Sequence, residues 1–472
     1  MCDTWVAMQD VTRDGRVIFA KNSDRPIFDC QPLLFQPRRR WPAGSRIQTG
    51  FVELPQVEET FAHLGSSLYW CWGYEEGINE WGLVIGNEAV YTKAFQEELD
   101  AYRQGKQSGF GLLGMDLIRV ALERCRTAAQ AVELIGGLVE EYGQFGSANP
   151  GMPHETGGYD NSFILADPDE AWILETAGRR WAARRIRQGS TSISNQLSIR
   201  ANWDLGSSDL IDYARQKGWQ PETVPGDRSS FDFAQAYIDE KMPRQISHIR
   251  MMRSRQLLAE RSGQITPQWM MRIARDHYED TFLQGPYFDA ANPDFLSLCM
   301  HVSPADFTWG NTASSCVAVL PGRPGDLPVF WWTPGPPCNG CYVPFFPYGS
   351  RLPEMVSNAG LLGKQVTPAH QVGEDQFSPN SYWWLFRRLN DWVKGDAVNS
   401  LPGCYQERNP LVRARFDALE QAFAEQLPGV LQRAEAAGEH SPDERAQILD
   451  RFTEECVQQV LGAVNELTGM DI

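Results

Sequence analysis

No run of apolar residues in this 472-residue chain approaches the roughly 18 needed to span a bilayer, so no membrane partner is expected. Positive charge is scarce. The 43 lysines and arginines face 60 aspartates and glutamates, a formal net charge of −17, and such a chain repels phosphate backbones. Its one basic run, Arg38-Arg39-Arg40, sits between Pro37 and Trp41-Pro42 and reads as a solvated loop. Nucleic acid is therefore not an expected partner. Also missing are a Gly-x-Ser-x-Gly elbow, His-Glu-x-x-His, a Gly-x-x-x-x-Gly-Lys-Ser/Thr loop, and any Gly-x-Gly-x-x-Gly behind a strand-like run. Serine hydrolases, zincins, P-loop enzymes and dinucleotide enzymes lose their support with them. The opening Met1-Cys2-Asp3 lacks the basic residues and the apolar run of roughly 7–15 of a secretory signal. The expectation is a soluble, cytoplasmic protein.

Histidine is rare as well, with 7 scattered singly. Cys338-Asn339-Gly340-Cys341 has the spacing of a metal knuckle or redox pair, but zinc needs a second pair of ligands at similar spacing, and none exists. The nearest upstream histidine is His301. No metal is assigned, and these thiols are expected to be buried and inert under a Gly/Pro turn. Ten cysteines over this length do not make a disulfide scaffold.

What the chain does hold is a globular composition, 42% hydrophobic and 22% charged, with 41 glycines, 30 prolines and 16 tryptophans that favour a turn-rich, strand-rich body. Thr4–Met8, a turn at Arg13-Asp14-Gly15 and Val17–Ala20 predict a hairpin beginning at residue two. Further predicted strands are 67–74, 82–86, 161–166 and 171–176, the last two joined by Asp167-Pro168-Asp169-Glu170, which has turn chemistry. Helical periodicity marks 115–124 and 128–142. Strands broken by turns return over 317–346. From about Ser381 the chain reads as helical and charged, notably at 414–426 and 443–467.

Cys2 carries the chemistry. Initiator methionine is normally removed before a small residue, and removal here would expose an α-amine on the same residue as a thiol. An α-amine titrates near 7.7–8.0 and a thiol at about 8.5, so near neutral pH the free amine can accept the thiol proton. Phe19-Ala20-Lys21-Asn22-Ser23-Asp24-Arg25 ends a predicted strand with a cation and a carboxylate three apart. Both are expected to face the thiol, one favouring thiolate and the other orienting the ammonium.

With these segments in hand, the chain resembles the secernin and dipeptidase A group of cysteine peptidases, within the N-terminal-nucleophile hydrolases that include penicillin V acylase and bile salt hydrolase. The carriers are Cys2-Asp3-Thr4-Trp5-Val6-Ala7, the Phe19–Arg25 segment, Gly77–Glu88, Pro337–Phe345 and Tyr382–Leu389. The resemblance implies an α+β fold, a four-layer αββα sandwich of two antiparallel sheets flanked by helices. Residues 1–375 would form the catalytic domain and 376–472 a helical C-terminal extension packed on it.

By the same resemblance Cys2 matches the nucleophile and Asp24 the acid that contacts its amine. Lys21 stands where acylases have arginine, which keeps the charge but loses the planar fork. Asn87 looks like the oxyanion-binding asparagine and Asn195 like the second asparagine of the acylase site. Arg250 resembles the site arginine of bile salt hydrolases, with Arg253 an open alternative. The implied activity is that of a dipeptidase acting on small peptides without a metal or organic cofactor. Two other readings stay open: a non-catalytic regulatory scaffold, and an amidase acting on N-acyl amino acids. A homo-oligomer also stays open.

Overall fold

The first strand, β1 (Cys2–Ala7), pairs antiparallel with β2 (Ile18–Arg25), Cys2 opposite Ser23 and Thr4 opposite Lys21. In this computed structural model, residues 1–106, 109–220, 231–242, 244–285, 288–289, 297–301, 310–395 and 405–469 are described. β1 and β2 lie inside a six-stranded antiparallel sheet ordered Ser190–Ile193, β1, β2, Asn311–Val319, Val329–Pro334, Val343–Phe345. A second, eight-stranded antiparallel sheet runs Leu205–Gly206, Arg180–Ile186, Ala171–Ala177, Asp160–Ala166, Val84–Val90, Glu76–Asn79, His63–Ser66, Leu33–Gln36.

Strand alternation sorts side chains into layers. Val84 packs in the core shared with Val6, Phe19 and Ala318, whereas Leu83 and Ile85 join Leu117, Ile118, Ile135 and Val139 of the helices Gly114–Arg124 and Ala128–Tyr142. Those two helices therefore cover the outer face of the eight-stranded sheet. The helices Gln245–Glu260 and Pro267–Ala274 cover the outer face of the six-stranded one. The order is helices, sheet, sheet, helices, the expected α+β arrangement.

Local chemistry fixes the ends. Thr266 and Ser441 each cap a helix with proline in its first turn, Thr127 and Ser381 cap two others, and Asp167 Oδ1 accepts from the N–H of Asp169 and Glu170 in the expected turn. The helices Tyr382–Lys394, Tyr405–Gly438 and Pro442–Thr468 follow the charged C-terminal pattern, and Phe386, Phe416, Phe423 and Val460 enter the same core as Trp5. No helix among the described residues is long and apolar enough to cross a membrane.

Two expectations change. Residues 67–74 form no strand but a buried connection, held by Ser67 Oγ donating to Gly73 O at 2.7 Å. A Cβ on Gly73 would lie 2.1 Å from the Met115 backbone, so a tertiary contact sets this bend. The predicted 82–86 strand is shifted to Val84–Val90.

Candidate active site

Because β2 continues through Arg25, period-two alternation puts Lys21 and Asp24 on opposite faces, and they do not both face the thiol as their spacing had suggested. Lys21 shares the inter-sheet face with Thr4. Its Nζ donates to the Glu75 backbone oxygen at 2.8 Å and lies 3.2 Å from both Glu75 Oε2 and Glu76 Oε2. Burial opposes its charge, but Cys2, Glu75 and Glu76 outweigh it and hold Lys21 well above the usual lysine value. Thr4 bonds the buried Glu88, whose carboxyl burial pushes far up. Asp24 points to the other face, where its Oδ1 accepts from Thr312 Oγ1 at 2.7 Å and its Oδ2 has no hydrogen-bond partner. Burial raises Asp24 to about 7, against the pull of the N-terminal amine.

Cys2 is buried. Its Sγ lies 3.4 Å from the Asp24 backbone N, and its own N–H donates to Asn195 Oδ1 at 3.0 Å. Burial pushes the thiol up to about 12, with Lys21 and then the N-terminal amine acting to lower it. Arg250, on the Gln245–Glu260 helix, is wholly buried beside this group. Its Nε pairs with Asp3 Oδ2 at 2.7 Å, and its Nη2 donates to Ser194 Oγ at 2.9 Å and Asn195 Oδ1 at 2.6 Å. Arg253, the alternative, instead grips Asp276 at 2.9 and 2.7 Å. Met1 closes the site: its amine donates to Asp24 O at 2.9 Å and its Sδ lies 3.3 Å from Arg250 Nη1.

Asn87 is not brought to this group. It shares the helix-covered side of its strand with Leu83 and Ile85, and its Nδ2 donates to Asn161 Oδ1 at 2.8 Å. The space beneath the helix is tight, since a Cβ on Gly114 would lie 2.6 Å from that Nδ2. The resemblance had carried the right kind of residue onto the wrong side of a strand.

Sequence reasoning missed Asp3, Ser194, Glu75 and Thr312, whose partners are contributed by other elements. Asp3, beside the nucleophile, was the one signal available. A small pocket of about 70 Å³, partly open to solvent, lies against Met1 and Asn195, the neighbours of Cys2. It is lined by Met1, Tyr91, Asn195, Ile238, Asp239 and Arg244 among others.

The Cys338–Cys341 pair separates. Cys341 turns toward the Phe416 carbonyl, whereas Cys338 joins His277, Cys299 and His301 in a buried group whose members share no regular spacing in the sequence.

Comparison with known proteins adds the following. A family description, Peptidase family C69, matches residues 2–253. The chain is similar to a dipeptidase of Bifidobacterium longum, 26% identical over 215 residues, or 42% of this chain. That match spans only 38% of the Bifidobacterium protein's length. It is also similar to a protein of Streptococcus pyogenes described as probable dipeptidase A, 22% identical over 81% of this chain and 79% of that one. Among solved structures it is similar to a mutant conjugated bile acid hydrolase from Clostridium perfringens, with 13% identity and a TM-score of 0.36 over 71% of this chain and 89% of that one. At that score the likeness carries no chemistry.

Proposed function

The chain belongs to peptidase family C69, matched over residues 2–253, and on that footing we propose that it is a cytoplasmic dipeptidase whose nucleophile is Cys2, exposed as the first residue when Met1 is removed. The observation that carries this reading is the convergence at the Cys2 nitrogen: Asn195 Oδ1 lies 3.0 Å away and is itself held by Arg250 at 2.6 Å. Removal of Met1 turns that nitrogen into an amine already gripped by Asn195. It also takes away one of the residues that line the neighbouring pocket.

A thiol pushed to about 12 by burial is a poor nucleophile at neutral pH on its own. The α-amine, titrating near 7.7–8.0, takes the thiol proton as sulfur attacks the amide carbon, and Lys21 favours the thiolate. Asp24, with its unpartnered Oδ2, is suited to meet the ammonium so formed. Asn195 Nδ2 spends one hydrogen on Ala89 O at 2.9 Å and keeps a second for the oxyanion. The ammonium then protonates the leaving nitrogen, leaving a thioester, and the free amine activates water to hydrolyse it. Asn87, with its amide used beneath the helix, takes no part.

Asp239 and Arg244 in the pocket wall offer a carboxylate and a guanidinium for the two charged ends of a short peptide. The apolar part of the wall, Tyr91, Leu197, Ile238, Met242 and Ile246, favours a second reading, an N-acyl amino acid amidase. Residues 1–375 would carry the hydrolase and 376–472 the helical addition to it.

Intact mass before and after thiol alkylation, paired with hydrolysis of dipeptides and N-acyl amino acids, tests the proposal. The expected result is loss of Met1, hydrolysis of dipeptides, and activity abolished by one adduct on Cys2 and by Cys2→Ser. Retained Met1 with no substrate cut would sink the hydrolase reading in favour of a scaffold. Preference for N-acyl substrates would favour the amidase.

A further inference from the structure

Away from Cys2, three separate stretches of chain aim four buried side chains at one point. His277 follows the Pro267–Ala274 helix, Cys299 and His301 precede the strand Asn311–Val319, and Cys338 lies in the turn between Val329–Pro334 and Val343–Phe345. Their ligand atoms all lie within 4.8 Å of one another. His301 Nε2 is at the centre of the contacts: it lies 3.1 Å from His277 Nε2, 3.0 Å from Cys338 Sγ and 3.6 Å from Cys299 Sγ.

Hydrogen bonding by His301 Nε2 does not account for all three of its contacts. One imidazole nitrogen offers a single proton or a single lone pair, so it can satisfy one of those three neighbours and not all. A cation among them satisfies all four at once. With zinc bonds of about 2.0 Å to nitrogen and 2.3 Å to sulfur, the edges of a tetrahedron come to roughly 3.3–3.8 Å, close to the three separations.

We propose that His277, Cys299, His301 and Cys338 form a structural zinc site. Two thiolates and two imidazoles are a donor set that suits zinc. Four protein ligands in a buried position leave no vacancy for substrate, which makes the site structural and not catalytic. The surroundings fit. Glu279 Oε1 lies 3.4 Å from His277 Nδ1, the carboxylate partner that orients a metal-bound histidine. Asn409 Nδ2 holds the Cys338 carbonyl at 2.9 Å, and the Tyr405 ring stands 5.6 Å from that of His301.

The site ties the His277 turn and the 297–301 stretch to the Cys338 turn, and its reach extends to the Cys2 face. Met300, between two of the ligands, accepts a hydrogen bond from Thr312 N at 3.0 Å through its carbonyl, and its own N–H donates to Thr312 Oγ1 at 2.9 Å. That hydroxyl donates to Asp24 Oδ1 at 2.7 Å. The zinc braces the back of Asp24 without touching substrate.

Metal content of the full-length protein, purified under reducing conditions, incubated with zinc and gel-filtered into metal-free buffer, tests this. About one zinc per chain is expected, greatly reduced in Cys338→Ser and His301→Ala, and retained in Cys341→Ser and Cys2→Ser. Because ligand variants can fail to fold, the wild-type protein is also loaded with cobalt(II), which should give the strong visible absorption of a tetrahedral thiolate site. Wild-type protein with only traces of metal and no cobalt spectrum would overturn the proposal. So would a Cys299–Cys338 disulfide found by non-reducing peptide mapping, or a Cys341→Ser or Cys2→Ser protein that loses metal as Cys338→Ser does.

Discussion

Arg250 and the backbone of Cys2 share one oxygen: Asn195 Oδ1 accepts from Arg250 Nη2 at 2.6 Å and from the Cys2 N–H at 3.0 Å. Two donors on one atom fix the orientation of the amide, so its Nδ2 cannot exchange places with Oδ1. Asn195→Ala is expected to lower kcat by about 10²–10³ with a smaller change in KM, as loss of an oxyanion donor does. Steady-state hydrolysis of a dipeptide reads this directly, and an unchanged kcat would remove Asn195 from the mechanism.

The two candidate arginines should separate cleanly. Arg250→Lys keeps the charge but not the fork that spans Asp3, Ser194 and Asn195, so kcat/KM should fall. Arg253→Lys breaks the two-point grip on Asp276 and should lower Tm while kcat/KM stays close to wild type. The reverse pattern would make Arg253 the site arginine.

Lys21 is the cation between two buried glutamates. Lys21→Met leaves Glu75 and Glu76 without it and is expected to cost about 3–5 kcal/mol in urea unfolding, the usual result of removing one partner from a buried ion pair. Gly86→Ala should weaken the same place from the opposite sheet, by about 1–3 kcal/mol, because a Cβ there would lie 2.7 Å from Lys21 Cδ.

Asp160 sets a pH dependence. Burial lifts its carboxyl from 3.8 to about 8, outweighing the hydrogen bonds from Thr92 and Gly178. The folded chain therefore holds this proton more tightly than the unfolded one. Its contribution to stability is full below about pH 4 and is lost as pH rises toward 8. Asp160→Asn should flatten that part of the stability profile. Urea unfolding of both proteins across that pH range checks the sign, and a slope unchanged by the substitution would assign the effect to other groups.

Where local chemistry decides, the sequence could be read. The hairpin of Asp160–Ala166 and Ala171–Ala177 follows from Asp167, whose side chain ties its own turn, and the C-terminal helices follow from caps and periodicity. Cys2, Asn195 and Arg250 were all named from the sequence, and the fold brings them together. What was misread depends on contacts from elsewhere in the chain. A single added strand turn of β2, through Arg25, decides that Lys21 and Asp24 diverge. Asn87 differs from its neighbours Gly86 and Glu88 only in parity, yet that sends it beneath a helix. His277, Cys299, His301 and Cys338 have no shared spacing, because three segments supply them and only the folded sheet brings them together.

The strand Val343–Phe345 is the last of the six-stranded sheet, with Pro442–Thr468 and Tyr405–Gly438 packed over it. An unshielded border of this kind is a template for neighbouring chains. A version ending before Tyr405 is therefore expected to bare that border and to self-associate even with every residue around Cys2 intact, which its elution volume in gel filtration would show.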